Sequence, residues 1–410
     1  MKKVELLAPA GSLEKLKVAI DYGADAVYVG GPRLNLRAFA DNFDFEELKE
    51  GVEYAHERNA KVYLALNAIP RNFDLKGLPE YVKKCESLNV DGVIAADPGV
   101  IAIVKNNTNL DIHLSTQANA MNYETAKFWY DYGLRRIILA RELKLKEVEE
   151  FVQNLPEDCE IEVFVHGAMC MAYSGRCLIS NYMTSRDSNK GACSQACRYK
   201  YYLVEEKRPN EYFPVFEDDT GTYIMNSKDL CMIEHIDDVI KSGVASVKIE
   251  GRMKSVFYLA MVVKMYREAI DAYYADPENF KVNPKWIENL GKISHRRYST
   301  GFFYGQNGEQ SYESATYVRE YEIVGIVRSY DSETKIATIE QRNRVFNGDT
   351  VEIIRPKTEN FEVKLNNMKN SKGEDIEKAN HAQMIFTAMV DEELKENDFI
   401  IMRKNEIQLG

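Results

Sequence analysis

The chain has 410 residues, of which 45% are hydrophobic and 29% are charged, and its formal net charge is −11. These proportions are typical of a soluble globular protein, and the chain is long enough for one large domain plus a small one. The acidic balance argues against nucleic-acid binding through bulk electrostatics, so any contact with RNA requires a local basic patch.

The N-terminus has the pattern of a first β-strand. Two lysines precede a short apolar run that Pro9 and Gly11 interrupt, so we expect no signal peptide. No stretch approaches the ~18 apolar residues that a membrane-spanning helix needs. The expected location is therefore the cytoplasm, without membrane contact.

Short β-branched runs alternate with helical periodicity through the first 275 residues. The predicted strands lie at residues 4–8, 26–30, 61–66, 92–95, 111–114, 136–140, 161–165 and 245–249. Three of them follow helices that end at Gly23, Gly133 or Gly243. Eight strands separated by helices are what a closed (β/α)8 barrel of the TIM type requires. A doubly wound α/β sheet is the alternative that this pattern leaves open.

The regular spacing breaks between the seventh and eighth predicted strands. Some 80 residues separate Val165 from Ala245, and five of the seven cysteines lie in this interval. Long insertions in barrel folds usually carry function. We therefore assign residues 1–275 to the barrel, with a cysteine-rich insertion at residues 167–235.

A different pattern begins after a connecting region at residues 276–317. From Val318 onward, short alternating strands are separated by turn signals such as Asn347-Gly348-Asp349. These strands lie at residues 321–327, 335–340, 350–354, 361–365, 383–390 and 398–403. Residues 318–410 are predicted to form a small all-β barrel domain.

Polar side chains follow the predicted barrel strands, at the end where such barrels carry their active sites. The candidates are Arg37, Asn67, Asp97, Ser115, Thr116, Gln117, Arg141, Glu142, His166, Glu250 and Arg252. Arg141 and Arg252 follow apolar strands, and a planar guanidinium binds carboxylate through two hydrogen bonds. Asp97 and Ser115 could instead cap helices, and His166 could be a structural histidine.

The odd number of cysteines in a chain without an export signal argues against a disulfide framework. Cys85 lies on the apolar face of a predicted helix and is expected in the core, whereas Cys159 has no assigned role. The others are Cys170, Cys177, Cys193, Cys197 and Cys231. Their spacing matches neither a ferredoxin pattern nor a CxxC zinc ribbon.

Residues 162–180, which read EVFVHGAMCMAYSGRCLIS, resemble the signature of peptidase family U32, long catalogued as collagenase-like proteases. Supporting matches are LAPAG at 7–11, HLSTQ at 113–117, KDLC at 228–231 and KIEGRMK at 248–254. The resemblance covers essentially the whole chain, including the C-terminal β domain. It is greatest to the branch that hydroxylates the wobble uridine of tRNA at carbon 5.

This resemblance implies an iron–sulfur protein that inserts hydroxyl groups without molecular oxygen, with prephenate as co-substrate. It implies a [4Fe–4S] cluster on Cys170, Cys177, Cys193 and Cys231, with Cys197 competing for one position. Four thiolates are the number that such a cluster needs. A zinc site with four cysteine ligands is the alternative. The implied partners are tRNA and a paralogous subunit of the same family.

We expect three catalytic residues at the barrel mouth: His166, Arg141 and Glu250. We expect seven substrate-binding residues: Arg37, Asn67, Asp97, Ser115, Thr116, Gln117 and Arg252. A local basic patch for RNA is predicted from Arg198, Lys200, Arg296 and Arg297.

Peptide hydrolysis is the alternative function, with His166 paired to a nearby cysteine. The chain has no HExxH motif and no GxSxG elbow around Ser174, which favours the hydroxylase. A second alternative is a cluster-bearing subunit that acts only together with a paralogous partner.

Overall fold

The computed structural model describes residues 3–34, 42–169, 179–184, 186, 193–194, 202–205, 208–214, 228–305 and 320–404. The strands of its first part are Glu5–Ala10 (β1), Ala26–Gly30 (β2), Lys61–Leu66 (β3), Gly92–Ala95 (β4), Asp111–Leu114 (β5), Arg136–Ile138 (β6), Glu160–Ala168 (β7), Tyr202–Glu205 (β8), Arg208–Pro214 (β9), Asp229–Cys231 (β10), Ser246–Ile249 (β11) and Tyr298–Ser299 (β12).

Eight parallel strands of the described chain close a barrel. Each of β1 to β6 pairs with the next strand, and β11 pairs with both β7 and β1. The predicted (β/α)8 barrel is therefore confirmed, and the open-sheet alternative is excluded. Strand β6 ends at Ile138 rather than at residue 140, whereas β7 extends to Ala168, so the insertion begins after that residue.

The helices of the described ranges are Leu13–Asp21 (α1), Phe45–His56 (α2), Leu78–Ser87 (α3), Pro98–Asn107 (α4), Tyr123–Asp131 (α5), Leu145–Asn154 (α6), Ile179–Thr184 (α7), Ile236–Lys241 (α8), Val256–Ala275 (α9) and Pro284–Gly291 (α10). Side-chain caps define several starts, as at Asp44, which accepts hydrogen bonds from two backbone N–H groups of α2. Within the described ranges, no helix combines the length and the apolar character that crossing a membrane requires.

The barrel interior contains a buried ionic network between β1, β6, β7 and β11. Arg136 Nε donates to Glu160 Oε2 at 2.9 Å, and Nη1 lies 2.5 Å from Glu5 Oε1 and 3.3 Å from Glu162 Oε2. Lys248 Nζ donates to Glu162 Oε1 at 2.9 Å. Burial lowers the pKa of Lys248 in spite of that carboxylate. Glu162 is fully buried and is the anion that both cations share.

Two short strands that the sequence analysis did not predict extend the sheet beyond β7. Strand β10 pairs antiparallel with β7 and places Cys231 opposite His166, and β12 pairs in parallel with β10. The predicted connecting region thus contributes both α10 and β12. Trp286 and Leu290 of α10 are buried in the barrel core.

The strands of the second part are Tyr321–Asp331 (β13), Ile336–Gln341 (β14), Val345–Phe346 (β15), Thr350–Ile354 (β16), Phe361–Lys364 (β17), Asn366–Asn370 (β18), Lys378–Ala379 (β19), Ile385–Met389 (β20) and Phe399–Arg403 (β21). An antiparallel sheet has the order β17-β16-β21-β13-β14-β20-β18. Its two edge strands are consecutive in the chain and only Leu365 separates them, so the sheet curls back on itself. The predicted all-β domain is confirmed.

The β domain packs along the outer face of α1. At the end of this helix, the Tyr22 hydroxyl donates to the carbonyl oxygen of Ile354 at 2.9 Å. At its start, Glu14 Oε1 accepts from Arg328 Nη2 at 3.3 Å and from Arg342 Nη2 at 3.4 Å. The domain therefore lies against the barrel wall over the full length of one helix.

Replacing Glu162 by glutamine is expected to lower the free energy of unfolding by about 3–5 kcal/mol. The change breaks a buried pair and leaves the charges of Lys248 and Arg136 undercompensated. Urea denaturation followed by circular dichroism measures the effect. The control is Glu359→Gln, whose carboxylate pairs with Lys285 at 2.8 Å on the surface. Equal urea midpoints for Glu162→Gln and Glu359→Gln would contradict the stabilising role of the buried Glu162 carboxylate.

Candidate functional site

Arg141 and Glu250 meet where β6 and β11 end. The Arg141 guanidinium carbon lies 3.9 Å from the centre of the Phe164 ring, and Nη1 donates to the Ala168 carbonyl oxygen at 2.7 Å. Nη2 lies 3.8 Å from Glu250 Oε2. Within the described chain, the buried Nε has no hydrogen-bond partner. The guanidinium is thus held on one side and keeps an N–H donor for a ligand.

Two tyrosines hold the segment that carries Glu250. The Tyr28 hydroxyl lies 3.1 Å from the Ile249 carbonyl oxygen and 3.3 Å from Glu250 Oε2. The Tyr258 hydroxyl donates to the Glu250 carbonyl oxygen at 3.1 Å. Below them, Lys248 Nζ lies 4.4 Å from the centre of the Tyr28 ring. The buried cation of the ionic network therefore reaches the floor of this site.

His166 lies among tyrosines on the neighbouring strand. Its Nδ1 is 3.5 Å from the Tyr266 hydroxyl, and its ring contacts the rings of Tyr258, Tyr266 and Tyr298. Burial lowers the pKa of His166 to about 3, with a smaller contribution from His295. The imidazole is therefore neutral near pH 7. It can exchange hydrogen bonds but does not supply a positive charge, and its catalytic role stays a prediction.

Cys231 is a partly buried free thiol beside His166. Its Sγ lies 4.0 Å from the Tyr266 hydroxyl, and burial raises the pKa of the thiol to about 12. Binding to a metal ion overcomes such a shift, because the thiolate is the ligand. Cys193 is partly exposed. Both thiols fit an iron–sulfur or a zinc site chemically, whereas Cys170, Cys177 and Cys197 lie outside the described residues.

A second polar group lies across the mouth, after β3 and β5. Asn67 Nδ2 donates to Gln117 Oε1 at 3.3 Å, and the Ser115 hydroxyl donates to the same oxygen. The structure therefore brings three of the predicted substrate-binding residues together. Ser115 itself makes no side-chain helix cap.

Two other predicted binding residues have structural partners. Asp97 caps α4, since its Oδ1 accepts from the Val100 N–H at 3.0 Å. The buried Thr116 hydroxyl donates to the Leu139 carbonyl oxygen at 3.0 Å, just beyond β6. Asp97 is therefore a helix cap, which is the alternative that the sequence left open.

Arg252 is buried at the end of β2, with 3% of its surface exposed. A Cβ atom added to Gly30 would lie 2.4 Å from Arg252 Nη1, so a larger residue there would displace this guanidinium. Arg37, predicted to bind substrate from the following loop, lies outside the described residues. The prediction that Arg296 contributes to a basic patch for RNA is wrong, because only 4% of its surface is exposed.

Sequence reasoning missed the aromatic residues that support the site. Phe164 supports Arg141, while Tyr28 and Tyr258 hold the Glu250 segment. For Phe164 a signal was present, because alternate residues of a strand share a face and it lies midway between Glu162 and His166. The contacts of the tyrosines join distant parts of the chain and leave no local pattern.

Gly167→Ala is expected to lower the free energy of unfolding by about 1–3 kcal/mol. Gly167 has φ +112°, a backbone conformation that other residues rarely adopt, and an added Cβ would lie 2.4 Å from the Glu250 carbonyl oxygen. Thermal unfolding measures the loss. Gly291→Ala is the matched control, because nothing lies within 4 Å of its added Cβ. A Gly167→Ala protein as stable as this control would refute the strain.

The sequence matches Peptidase family U32 over residues 11–313 and the Peptidase family U32 C-terminal domain over residues 319–401. It is 44% identical to tRNA hydroxylation protein P1 of Bacillus subtilis (strain 168), covering 98% of this chain and 95% of that one. To tRNA hydroxylation protein P2 of the same bacterium it is 37% identical, covering 74% of this chain and 98% of that one.

A relative named Collagenase, from Porphyromonas gingivalis, is 32% identical and covers 86% of this chain and 87% of its own length. A protein named for tRNA hydroxylation and a protein named Collagenase are thus both similar to this chain over most of its length. The matched regions include both the barrel and the β domain. The chain therefore belongs to peptidase family U32.

Proposed function

We propose that this protein is an iron–sulfur enzyme that hydroxylates RNA without molecular oxygen. The product would be 5-hydroxyuridine at the tRNA wobble position, with prephenate as co-substrate. The observation that carries the proposal is the likeness, over 98% of the chain, to a protein named for tRNA hydroxylation. The geometry of the barrel mouth supports it through the properties of Arg141 and Cys231.

A carboxylate co-substrate fits the held guanidinium of Arg141. Its Nη1 is already engaged with the Ala168 carbonyl oxygen, so the side chain loses little freedom when a ligand arrives. The unpartnered Nε is a charged donor in a largely buried setting, where a hydrogen bond to carboxylate is strong. Glu250 lies on the other side and disfavours a second anion there, which orients the ligand.

The cluster would be held by Cys170, Cys177, Cys193 and Cys231, with Cys197 as the competing ligand. A bound cluster would supply single-electron transfer at the reacting uridine. The Tyr266 hydroxyl, which donates to the Val165 carbonyl oxygen at 2.7 Å, helps to fix the strand pair that carries Cys231. A four-cysteine zinc site is the alternative occupant.

Peptide hydrolysis is less well supported by the same geometry. A cysteine nucleophile needs a lowered pKa or an adjacent base, whereas burial raises the pKa of Cys231 to about 12. Its sulfur lies 4.0 Å from the Tyr266 hydroxyl, and burial lowers the pKa of the neighbouring His166 to about 3, which makes that imidazole a weak base. A complex with a paralogous subunit stays compatible with the hydroxylase, and co-purification of a second family member would reveal it.

Cys231→Ala and Cys170→Ala are expected to abolish cluster binding. Protein purified without oxygen should be brown, absorb near ~400 nm and hold about four irons and four sulfides, and both variants should lose these properties. Cys159→Ala, at a buried cysteine outside the insertion, is the control that should keep them. Colourless wild-type protein that binds zinc after anaerobic reconstitution would overturn the cluster.

Arg141→Lys is expected to raise the KM for prephenate by about 10- to 100-fold. Lysine keeps the charge but loses the planar donor group, and a hydrogen bond to a charged group contributes about 1.5–3 kcal/mol. Hydroxyuridine formed in tRNA is measured by mass spectrometry against prephenate concentration. Arg135→Lys is the matched control, since Arg135 is exposed and pairs with Asp158. Equal KM values for both variants would exclude Arg141 as the carboxylate ligand.

A further inference from the structure

The loop between β3 and α3 presents an exposed aromatic ring at the barrel mouth. Phe73 is 77% exposed, and Ile69 in the same loop is 36% exposed. The loop begins just after Asn67, one of the polar residues of the candidate site. Because parallel strands end at one face of the barrel, Phe73 lies on the rim of that face. A ring that is exposed to this extent is accessible to a base that stacks on it.

The loop is held rigidly although its tip is exposed. Arg33, from the loop after β2, donates through Nη2 to the carbonyl oxygens of Asp74, at 3.0 Å, and of Lys76. The Asp74 carboxylate accepts from the Arg71 backbone N–H at 2.8 Å, and the Asp74 N–H donates to the Arg71 carbonyl oxygen at 2.8 Å. These bonds fix the turn that projects Phe73, so the ring is displayed in a preorganised position.

Two cations belong to the same exposed loop as the ring. Lys76 Nζ lies 5.9 Å from the centre of the Phe73 ring, and Arg71 is exposed two residues before it. Among the described residues, no carboxylate forms an ion pair with the side chain of either cation. A flat apolar surface with positively charged side chains in the same loop matches a nucleobase attached to phosphates.

We propose that Phe73 is the stacking platform for an unpaired base of the RNA substrate, next to the nucleotide that enters the barrel. The inference rests on the proposed function insofar as RNA is the ligand, and it names a recognition residue on the rim. Arg71 and Lys76 contact the phosphates on either side of the stacked base. An unpaired base is required because paired bases offer no free face for stacking.

A second exposed phenylalanine provides a matched control. Phe128 of α5 is 62% exposed, but its ring lies 5.2 Å from that of Trp129, edge to face. It therefore belongs to an aromatic cluster on the outer helices, away from the strand ends. In the described part of the chain, no other aromatic ring lies against Phe73. The same substitution at the two positions separates a rim effect from a general loss of exposed aromatic surface.

The test uses the full-length holoprotein, purified anaerobically, and a fluorescent 17-nucleotide anticodon hairpin. Phe73→Ala is expected to raise the Kd by about 5- to 100-fold, the range of one base–aromatic stack. Phe73→Trp should keep the wild-type Kd, because it keeps an aromatic ring, whereas Phe73→Leu should show the raised Kd. Phe128→Ala should have the same Kd as wild type. In hydroxylation assays the Phe73→Ala defect should lie mainly in the KM for RNA. Arg71→Gln with Lys76→Gln should flatten the salt dependence of the Kd.

The outcomes separate this inference from the proposed function. Hydroxylation by wild-type protein with equal hairpin affinity in Phe73→Ala and Phe128→Ala would overturn the platform and leave the function intact. Phe73-dependent hairpin binding without any hydroxyuridine would support the platform and overturn the function. Full affinity in Phe73→Leu would indicate a non-aromatic apolar contact and overturn stacking, as would the absence of hairpin binding by wild-type protein.

Discussion

The carboxylate of Glu162 is the centre on which the rest of the barrel depends. It is fully buried, and it balances Lys248 from β11 and Arg136 from β6. Burying such charges costs several kcal/mol per ion, and only good geometry offsets that cost. A shift of one residue in any of these strands would turn a charge out of the network. The network therefore specifies the strand register where β11 closes the barrel between β1 and β7.

The same charges determine the floor of the candidate site. Lys248 Nζ lies 5.7 Å from the centre of the Phe164 ring, and the Arg141 guanidinium stacks on that ring at 3.9 Å. Two cations therefore share one aromatic ring, which places positive potential beneath the mouth. Because Arg141 is held there before any ligand binds, ordering it costs little binding free energy. A structural requirement of the barrel would thus also serve the carboxylate recognition that we propose for Arg141.

Much of the architecture could be predicted, because it follows from the spacing of apolar residues within short segments. The eight barrel strands and the core position of Cys85 follow from patterns within short segments. The strands β10 and β12 could not be predicted, since they are two or three residues long and exist only through pairing with distant partners. The burial of Arg296 could not be predicted either, because it also depends on tertiary contacts. For the site, strand ends indicated Arg141 and Glu250, but their aromatic supports depend on tertiary contacts.

An acidic protein that binds RNA must solve a problem that basic proteins avoid. With a net charge of −11, long-range attraction to phosphate is absent, and single cations act only within the screening length of about 8–10 Å. Stacking on an exposed ring needs no such field, and its strength depends little on the surrounding charge. It also discriminates by accessibility, because only an unpaired base can reach the ring. The stacking platform proposed at Phe73 would therefore favour looped RNA over duplex, which bulk positive charge would not do.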